Sequence, residues 1–538
     1  MGIIGALADL RPSAREELTA FGRYVVRLPA FLREKITSDQ ARERIRKALR
    51  RRGEAFLDLL ERAVYANPGS PYRPLLDAAG IELGDARKLV TDLGLEGALE
   101  TLRDAGVYAS LDEFKGRTAQ ERGGVSRPLG DGDFDNPLIT GHYWGATGGS
   151  RGTSRRVAVD LARLEHESSY QSLLREGFGY STRPFGIWRV IPPSRAGLNN
   201  YLYQVKSGAS VQRWFNPYRP PRDRESLQYA LFTAYTLRAG RRFGGELRRP
   251  EYCPTDRAAT VARWLAECRR EGQPAVLDAQ AGLGVRACLA ALDQGLDISG
   301  TSMRVGGEPF TEAKAEVMAS VGASAACHYS MTEVGRVGSA CADPTALDDV
   351  HLMSDKLALI QRDKVVDSTG VRVGVLSYTT LLPSSSKIMI NVESDDYAVV
   401  SERECGCPFG ELGLSTHLHR IRSYEKLTTD GNHFLGSDLY ALVDEVLPGR
   451  FGGAATDYQL VEEEVRGLPK LSVVIGPRIG EVVDIEVLSE VLGFLRQKPR
   501  NRLMADFWAQ GDTLRVVRRE PQLTPAGKIL PLHLAPRD

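Results

Sequence analysis

Neither charge sign dominates this 538-residue chain: 70 Lys plus Arg stand against 69 Asp plus Glu, a formal net charge of +1. There is thus no electrostatic case for a nucleic-acid or membrane partner. No apolar stretch approaches the roughly 20 residues of a membrane span, and the apolar run in the opening MGIIGALADL is too short for a signal peptide. The Met-Gly start also lacks the Ser or Thr of a myristoylation site. Cysteines number seven, an odd count, which in a large chain without a secretion signal points to thiols or metal ligands rather than a disulfide framework. Internal repeats and low-complexity tracts are missing. A cytoplasmic location is expected.

What is present describes an ordinary globular protein, 42% hydrophobic and 26% charged. A chain of this length exceeds one hydrophobic core and predicts two to four domains. Ser38 and Asp39 offer an N-cap to a helical run in which Ala41, Ile45, Ala48, Leu49, Phe56, Leu59, Leu60 and Val64 recur at helical spacing, until Asn67-Pro68-Gly69 stops it. The basic cluster Arg42 to Arg52 falls mostly on the opposite face and reads as a solvated helix surface. Residues 116–136 are punctuated by Gly and Asp and read as a loop. From 255 to 340 helices and strands alternate: helix Ala258 to Arg270, strand AVLDA, helix Gly284 to Leu292, strand GTSMRVGG, helix TEAKAEVMASVG, strand SAACHYS. Such alternation predicts an α/β sheet whose ligands collect at the carboxyl ends of the strands. Residues 371–400 turn β-rich, with VRVGVLSYTTLLP and KIMINVE. Beyond 425, LSVVIGP and VVDIEVL read as strands and LSEVLGFLRQ as a helix.

Four stretches carry chemistry. GATGGSRGTSRR (145–156) combines Gly, Ser and Thr in a loop whose N–H groups and hydroxyls can approach a polyphosphate, with Arg155 or Arg156 able to add charge; a flexible connector fits it as well. GGEPFTEA (306–313) is a tight strand-to-helix turn. HYSMTEVG (328–335) places an aromatic shortly before a hydroxyl and a carboxylate at a strand end, and NVESDDYAVV (391–400) sets paired aspartates where a β-rich segment turns. Read in order with RIRSYEKL and the terminal TPAGKIL, these stretches resemble the ordered motifs of the adenylate-forming enzyme superfamily. The chain is most similar to its phenylacetate-CoA ligase branch, and LLERAVYANPGSPYRPLLDAAGIE and CADPTALDDVHLMSDKLALI extend that resemblance over nearly everything from about residue 55.

The resemblance implies an α/β fold: a large N-terminal adenylate-forming domain of mixed sheets and helices (1–110 its helical start, 111–422 the ATP- and acid-binding part) and a small mobile α+β C-terminal domain, 423–538. It implies that Thr147, Gly148, Gly149, Ser150 and Gly152 hold the ATP polyphosphate and that Gly306, Gly307, Glu308 and Pro309 line the adenine pocket. Tyr329 would stack on adenine, Thr332 would lie near the phosphates and Glu333 would hold Mg²⁺. Asp396 would bind both ribose hydroxyls, and Arg422 the ribose and phosphate near the interdomain hinge. Lys528 matches the mobile lysine. A cation there would bridge the incoming carboxylate and the α-phosphate, and Gly527 before it permits the tight turn. Departures from the family pattern are Arg151 inside the phosphate loop with no lysine soon after, Asn391 where an arginine is common, and Tyr424-Glu425 in place of an acidic pair.

Cys341 and His351, separated by nine residues, together with Cys405-x-Cys407 make a tetrahedral zinc set of three thiolates and an imidazole; unrelated buried thiols are the alternative on spacing alone. Relatives carrying Cys and His at similar places favour structural Zn²⁺. Cys253, Cys268, Cys288 and Cys327 have no partner pattern and read as core residues. The expected activity is ATP-dependent activation of a carboxylic acid, aryl by resemblance, as acyl-AMP, with coenzyme A as acceptor. Rivals are an amine or carrier-protein acceptor, nitrite activation for diazotisation of an aryl amine, and a nucleotide-binding scaffold without turnover. The aromatic-rich segment 185–218, with Asn199, Asn200 and Tyr201, lines the acid pocket or else belongs to the core. Dimers are frequent among the relatives that the resemblance names.

Overall fold

The computed structural model describes residues 12–130, 132–146, 156–190, 196–218, 224–244, 248–365, 372–423, 427–429, 432–434, 441–497, 499–522 and 532–534. The helix Ser38–Arg50 is capped one residue earlier than expected. Thr37 is the N-cap: its hydroxyl accepts from the Gln40 N–H at 3.2 Å and its own N–H donates to the Gln40 side chain at 3.1 Å. The expected single run to Asn67 breaks at Arg51 and resumes as Arg52–Leu59 and a π-helical turn, Leu60–Tyr65. Of the basic cluster, Arg42, Arg44 and Arg52 pair with Glu176, Glu165 and Glu96, while Arg46, Lys47, Arg50 and Arg51 are exposed on the solvated face.

Two ribbons, β1/β2 (Gln120–Arg122, Val125–Arg127) and β3/β4 (Tyr143–Ala146, Arg156–Val159), precede the main sheet. The first of them occupies part of the stretch expected to be all loop. The main sheet holds twelve strands: β5 (Phe185–Trp188), β6 (Val211–Asn216), β7 (Glu251–Tyr252), β8 (Val276–Gln280), β9 (Ser302–Gly306), β10 (Ser324–Met331), β11 (Gly335–Ala340), β12 (Val350–Leu352), β13 (Leu357–Val365), β14 (Arg372–Thr380), β15 (Val392–Glu402) and β16 (Thr416–Ser423). Their order is β13-β14-β15-β16-β12-β11-β10-β9-β8-β5-β6-β7. Strands β7 to β10 of that order run parallel and the remainder pair antiparallel. Because β5 has β6 on one side and β8 on the other, the chain reverses its winding direction there, the position where open α/β sheets form a crevice.

Side chains alternate across the parallel strands. Leu277, Ala279, Met303, Val305 and Cys327 point into a core shared with the helices Ala258–Arg270, Ala281–Asp293 and Glu312–Ser320. The opposite face is covered by the helices Leu161–Gly177 and Ala196–Lys206. Cys253, Cys268, Cys288 and Cys327 are buried in the first core, as expected, and burial pushes the Cys288 and Cys327 thiols up to about 12. KIMINVE is strand only from Val392 onward. Asn391 adopts φ 50° and donates from Nδ2 to the Leu99 and Val107 carbonyls, which ends the extended run.

A short ribbon, β17/β18 (Leu427–Thr429, Asn432–Phe434), leads to a second sheet: β19 (Tyr458–Val465), β20 (Leu468–Ile475), β21 (Leu514–Arg518) and β22 (Leu532–Leu534), ordered β21-β20-β19-β22. This sheet has its own core, including Leu460, Val473, Val487, Val491, Leu495 and Trp508. The whole is a mixed α/β protein. VVDIEVL, expected as a strand, instead enters the helix Asp484–Gln497. Val487, Val491 and Leu495, four apart, form its buried stripe, while Val483 and Ile485, which a strand would place on the same face as Val487, are exposed.

Candidate active site at the carboxyl end of the parallel strands

Strand β9 ends at Gly306, opposite His328 of β10. A Cβ on Gly306 would run into the His328 carbonyl and ring, so glycine is what allows this close approach. Gly307 follows at φ +86°. The Glu308 side chain accepts from the Gly282 N–H at 3.3 Å, at the start of the neighbouring helix, and the Pro309 carbonyl accepts from Lys314 Nζ at 2.8 Å. The turn is therefore anchored on both sides.

One residue beyond His328, the register of β10 shifts between Tyr329 and Ser330. The Tyr329 hydroxyl donates to Asp396 Oδ2 at 2.5 Å, which brings together two residues singled out from separate motifs. Burial, and then the Asp396 carboxylate, hold the Tyr329 phenol well above its ordinary range, so it remains a donor. Asp396 lies opposite Ser423, and the next pair is Tyr397 with Arg422. Arg422 is held by Asp348 at 3.2 Å, whose carboxylate also accepts the Arg420 and Ile421 N–H groups at 2.8 and 3.0 Å.

Thr332 and Glu333 occupy the turn from β10 to β11, Thr332 exposed and Glu333 buried. Glu333 Oε1 receives Lys115 Nζ at 2.6 Å. Lys115 follows the short helix Leu111–Phe114, which a capping box between Ser110 and Glu113 starts, and the Ala109 carbonyl accepts from the Glu393 N–H at 2.9 Å on the strand that carries Asp396. Behind the turn sits Glu167, 1% exposed. It accepts Lys356 Nζ at 2.5 Å, the Tyr203 hydroxyl at 2.5 Å and the Arg336 N–H at 3.1 Å. Burial alone would raise the Glu167 carboxyl, but Lys356 and Arg163 overcome it and hold it down to about 2. Gly335, at φ +78°, leaves the space the Glu167 carboxylate fills. The loop residues Thr147, Gly148, Gly149, Ser150 and Gly152 and the terminal Lys528 lie outside the described residues.

Of the aromatic segment 185–218, Phe185, Trp188, Tyr201, Tyr203, Trp214 and Phe215 are core. Tyr201 packs 4.7 Å from Trp214 and its hydroxyl accepts from the Arg248 N–H at 2.6 Å. Asn199 accepts from the Tyr143 hydroxyl, and Asn200 donates to Asp278 at 2.7 Å. Sequence reasoning missed Lys115, Glu167, Lys356 and Asp348; no local pattern marks them, because each acts across a long stretch of chain.

The four residues expected around a metal converge. Cys341 Sγ is 3.7 Å from Cys405 Sγ, and His351 Nε2 lies 3.1 Å from Cys407 Sγ and 3.5 Å from Cys405 Sγ. Ligand atoms around tetrahedral zinc are spaced about 3.5–3.7 Å apart, so the donor set fits that ion. His351 Nδ1 pairs with the Leu414 carbonyl at 2.7 Å, leaving Nε2 as the ligand nitrogen. His417, which sequence reasoning did not include, joins Cys341, His351 and Cys405 within 4.8 Å, and its Nδ1 meets Asp349 at 2.6 Å.

No family model and no curated protein matches the chain. Among solved structures, it is similar to 2-hydroxyisobutyryl-CoA ligase in complex with 2-HIB-AMP and CoA (13% identity, TM-score 0.45, spanning 94% of this chain and 92% of that one). It is also similar to an o-succinylbenzoate CoA synthetase from Bacillus subtilis (11%, 0.40, 73% and 68%) and an acetoacetyl-CoA synthetase from Streptomyces lividans (13%, 0.31, 90% and 76%). At TM-scores below 0.5 these likenesses carry no weight for function, which this chain's own side chains must carry. Among the described residues no helix is long and apolar enough to cross a membrane.

Proposed function

We propose that the chain is an ATP-dependent adenylate-forming ligase, which joins a carboxylate to AMP with release of pyrophosphate and passes the acyl group to coenzyme A. The observation that supports it best is the Tyr329 hydroxyl on Asp396 beside the Gly306–Pro309 turn, with Glu333 in the adjoining turn. In this reading Tyr329 stacks on adenine while its hydroxyl orients Asp396 for the ribose hydroxyls. Arg422 approaches the ribose and phosphate from the next strand. Attack of the carboxylate on the α-phosphorus concentrates negative charge, which cations at fixed positions stabilise. Lys528, on the C-terminal domain 423–538, supplies one; Glu333, which shares a turn with Thr332, would hold Mg²⁺, whose charge would supply another. The loop with Thr147, Gly148, Gly149, Ser150 and Gly152 wraps the polyphosphate. Resemblance to phenylacetate-CoA ligases supports an aryl acid.

Cys341, His351, Cys405 and Cys407 hold a structural Zn²⁺ that ties the loop after β15 to β11 and β12. When bound, zinc would cross-link irregular segments and supply no step of the reaction.

Pyrophosphate release from ATP and Mg²⁺ tests the reading across aryl and aliphatic acids, with and without coenzyme A. Acid-dependent release, abolished in Lys528→Ala while AMP binding persists, is the expected result. Unchanged release in that variant would overturn it.

A further inference from the structure

The face of the parallel sheet beneath Tyr329 is unusually charged. Asp278 and Arg304 are register partners on β8 and β9, and two residues further on Gln280, Gly306 and His328 form the next row on β8, β9 and β10. All of these face away from the apolar core that takes Leu277, Met303 and Cys327. Arg189, directly after β5, donates to Asp278 at the winding reversal and reaches His328 Nε2 at 3.3 Å. Arg304 donates to Gln171 at 2.6 Å and lies 3.7 Å from Asp278. Across the sheet Lys356 Nζ and the Arg336 backbone N–H meet Glu167, with Arg163 one helical turn from it.

Among the described residues, buried cations outnumber buried carboxylates in this cluster. Arg163, Arg189, Arg304, Arg336 and Lys356 are each 6% exposed or less, and three carboxylates accompany them, Glu167, Asp278 and Asp355. Asp355 is itself engaged by His166 at 2.7 Å and Tyr170 at 2.9 Å. Several guanidinium nitrogens, Arg304 Nη1, Arg336 Nη1, and Arg163 Nε and Nη1, are buried without a hydrogen-bond partner among the described residues, as is one carboxylate oxygen, Asp278 Oδ2, which faces Arg304 at 3.7 Å. Buried charge is ordinarily paired, because desolvation without a counter-ion is costly. Burial, and then the nearby Arg304, push the Arg336 guanidinium down to about 10. His328 is pushed well down by burial and by Arg336, Arg189 and Arg304 together, so its imidazole is neutral and adds no further cation.

We infer that this buried arginine cluster recognises a second anionic group on the substrate, so that the acid activated is a dicarboxylate. The inference rests on the adenylation reading. Adenylation converts the reacting carboxylate into a neutral acyl group, so that carboxylate cannot remain the counter-ion. A second carboxylate can, and planar guanidinium forks suit it bidentately. The same cluster disfavours an acid whose remainder is wholly apolar, because the unpartnered arginines would then stay unpaired.

The test is isothermal titration calorimetry on the full chain. AMP is titrated first, which reads the nucleotide proposal separately. Phthalate, malonate and succinate, the monoanions phenylacetate and benzoate, and nitrite then follow, with and without AMP. A dicarboxylate should bind about tenfold or more tighter than either monoanion, and Arg304→Lys and Arg336→Lys, which keep charge but lose the fork, should each weaken it about tenfold. AMP affinity should stay unchanged in both variants. Equal or tighter binding of phenylacetate, benzoate or nitrite, no dicarboxylate binding, or full affinity in both variants would overturn the inference. If a variant does not fold, the ranking of acids by the unaltered chain decides it alone. Failure of AMP to bind beside normal dicarboxylate selectivity would sink the adenylation reading and leave the arginine site standing.

Discussion

Lys115 Nζ lies 2.6 Å from Glu333 Oε1, across 218 residues of sequence. The carboxylate proposed for Mg²⁺ thus already has a cation on it, only partly shielded from solvent on the lysine side. If the two cations compete, Lys115→Met should lower the Mg²⁺ concentration that half-saturates pyrophosphate release several-fold. It should also cost about 1–3 kcal/mol of stability, since a buried carboxylate loses a partner. A Mg²⁺ titration and a denaturant melt check the two halves; an unchanged Mg²⁺ requirement would remove Glu333 from the metal.

Tyr329→Phe keeps the ring and deletes the hydroxyl on Asp396. AMP affinity should fall by about 1 kcal/mol, roughly fivefold, the worth of one hydrogen bond that orients a charged acceptor. Asp396→Ala should weaken AMP much further. Calorimetry reads both, and an unchanged AMP affinity in Tyr329→Phe would mean that Tyr329 acts through the ring and not the hydroxyl.

Glu167 gives a pH signature. Its carboxyl sits at about 2 in the folded protein, below the ordinary value of 4.5, so its stabilising contribution is present above pH 4.5 and is lost as pH falls toward 2. Glu167→Gln should be less stable at neutral pH and should lose less on acidification over that window. Parallel acid melts of the two proteins would contradict the assignment.

Metal analysis of the purified chain should find about one zinc per molecule. Cys405→Ser should lower that content and the melting temperature together. Full zinc content in that variant would shift the ligand set toward His417.

Sequence by itself determined the alternation of 258–340, because helices and strands there each bury a continuous apolar face whose period is local. It likewise determined which motif residues to examine, since Tyr329, Glu333, Asp396 and Arg422 stand in ordered stretches similar to a known superfamily. It failed at VVDIEVL, where an alternating pattern of seven residues also fits the first turn of a helix and only packing against the second sheet selects Val487 over Val483. Tertiary structure decided what no window contains: that the Tyr329 hydroxyl lands on Asp396, that Lys115 reaches Glu333, that Asn200 serves Asp278, and that five buried cations meet under β8 to β11. The physical reason is range. Backbone periodicity acts over a few residues, whereas charge pairing and dry burial act through space, between segments that only the folded sheet brings together.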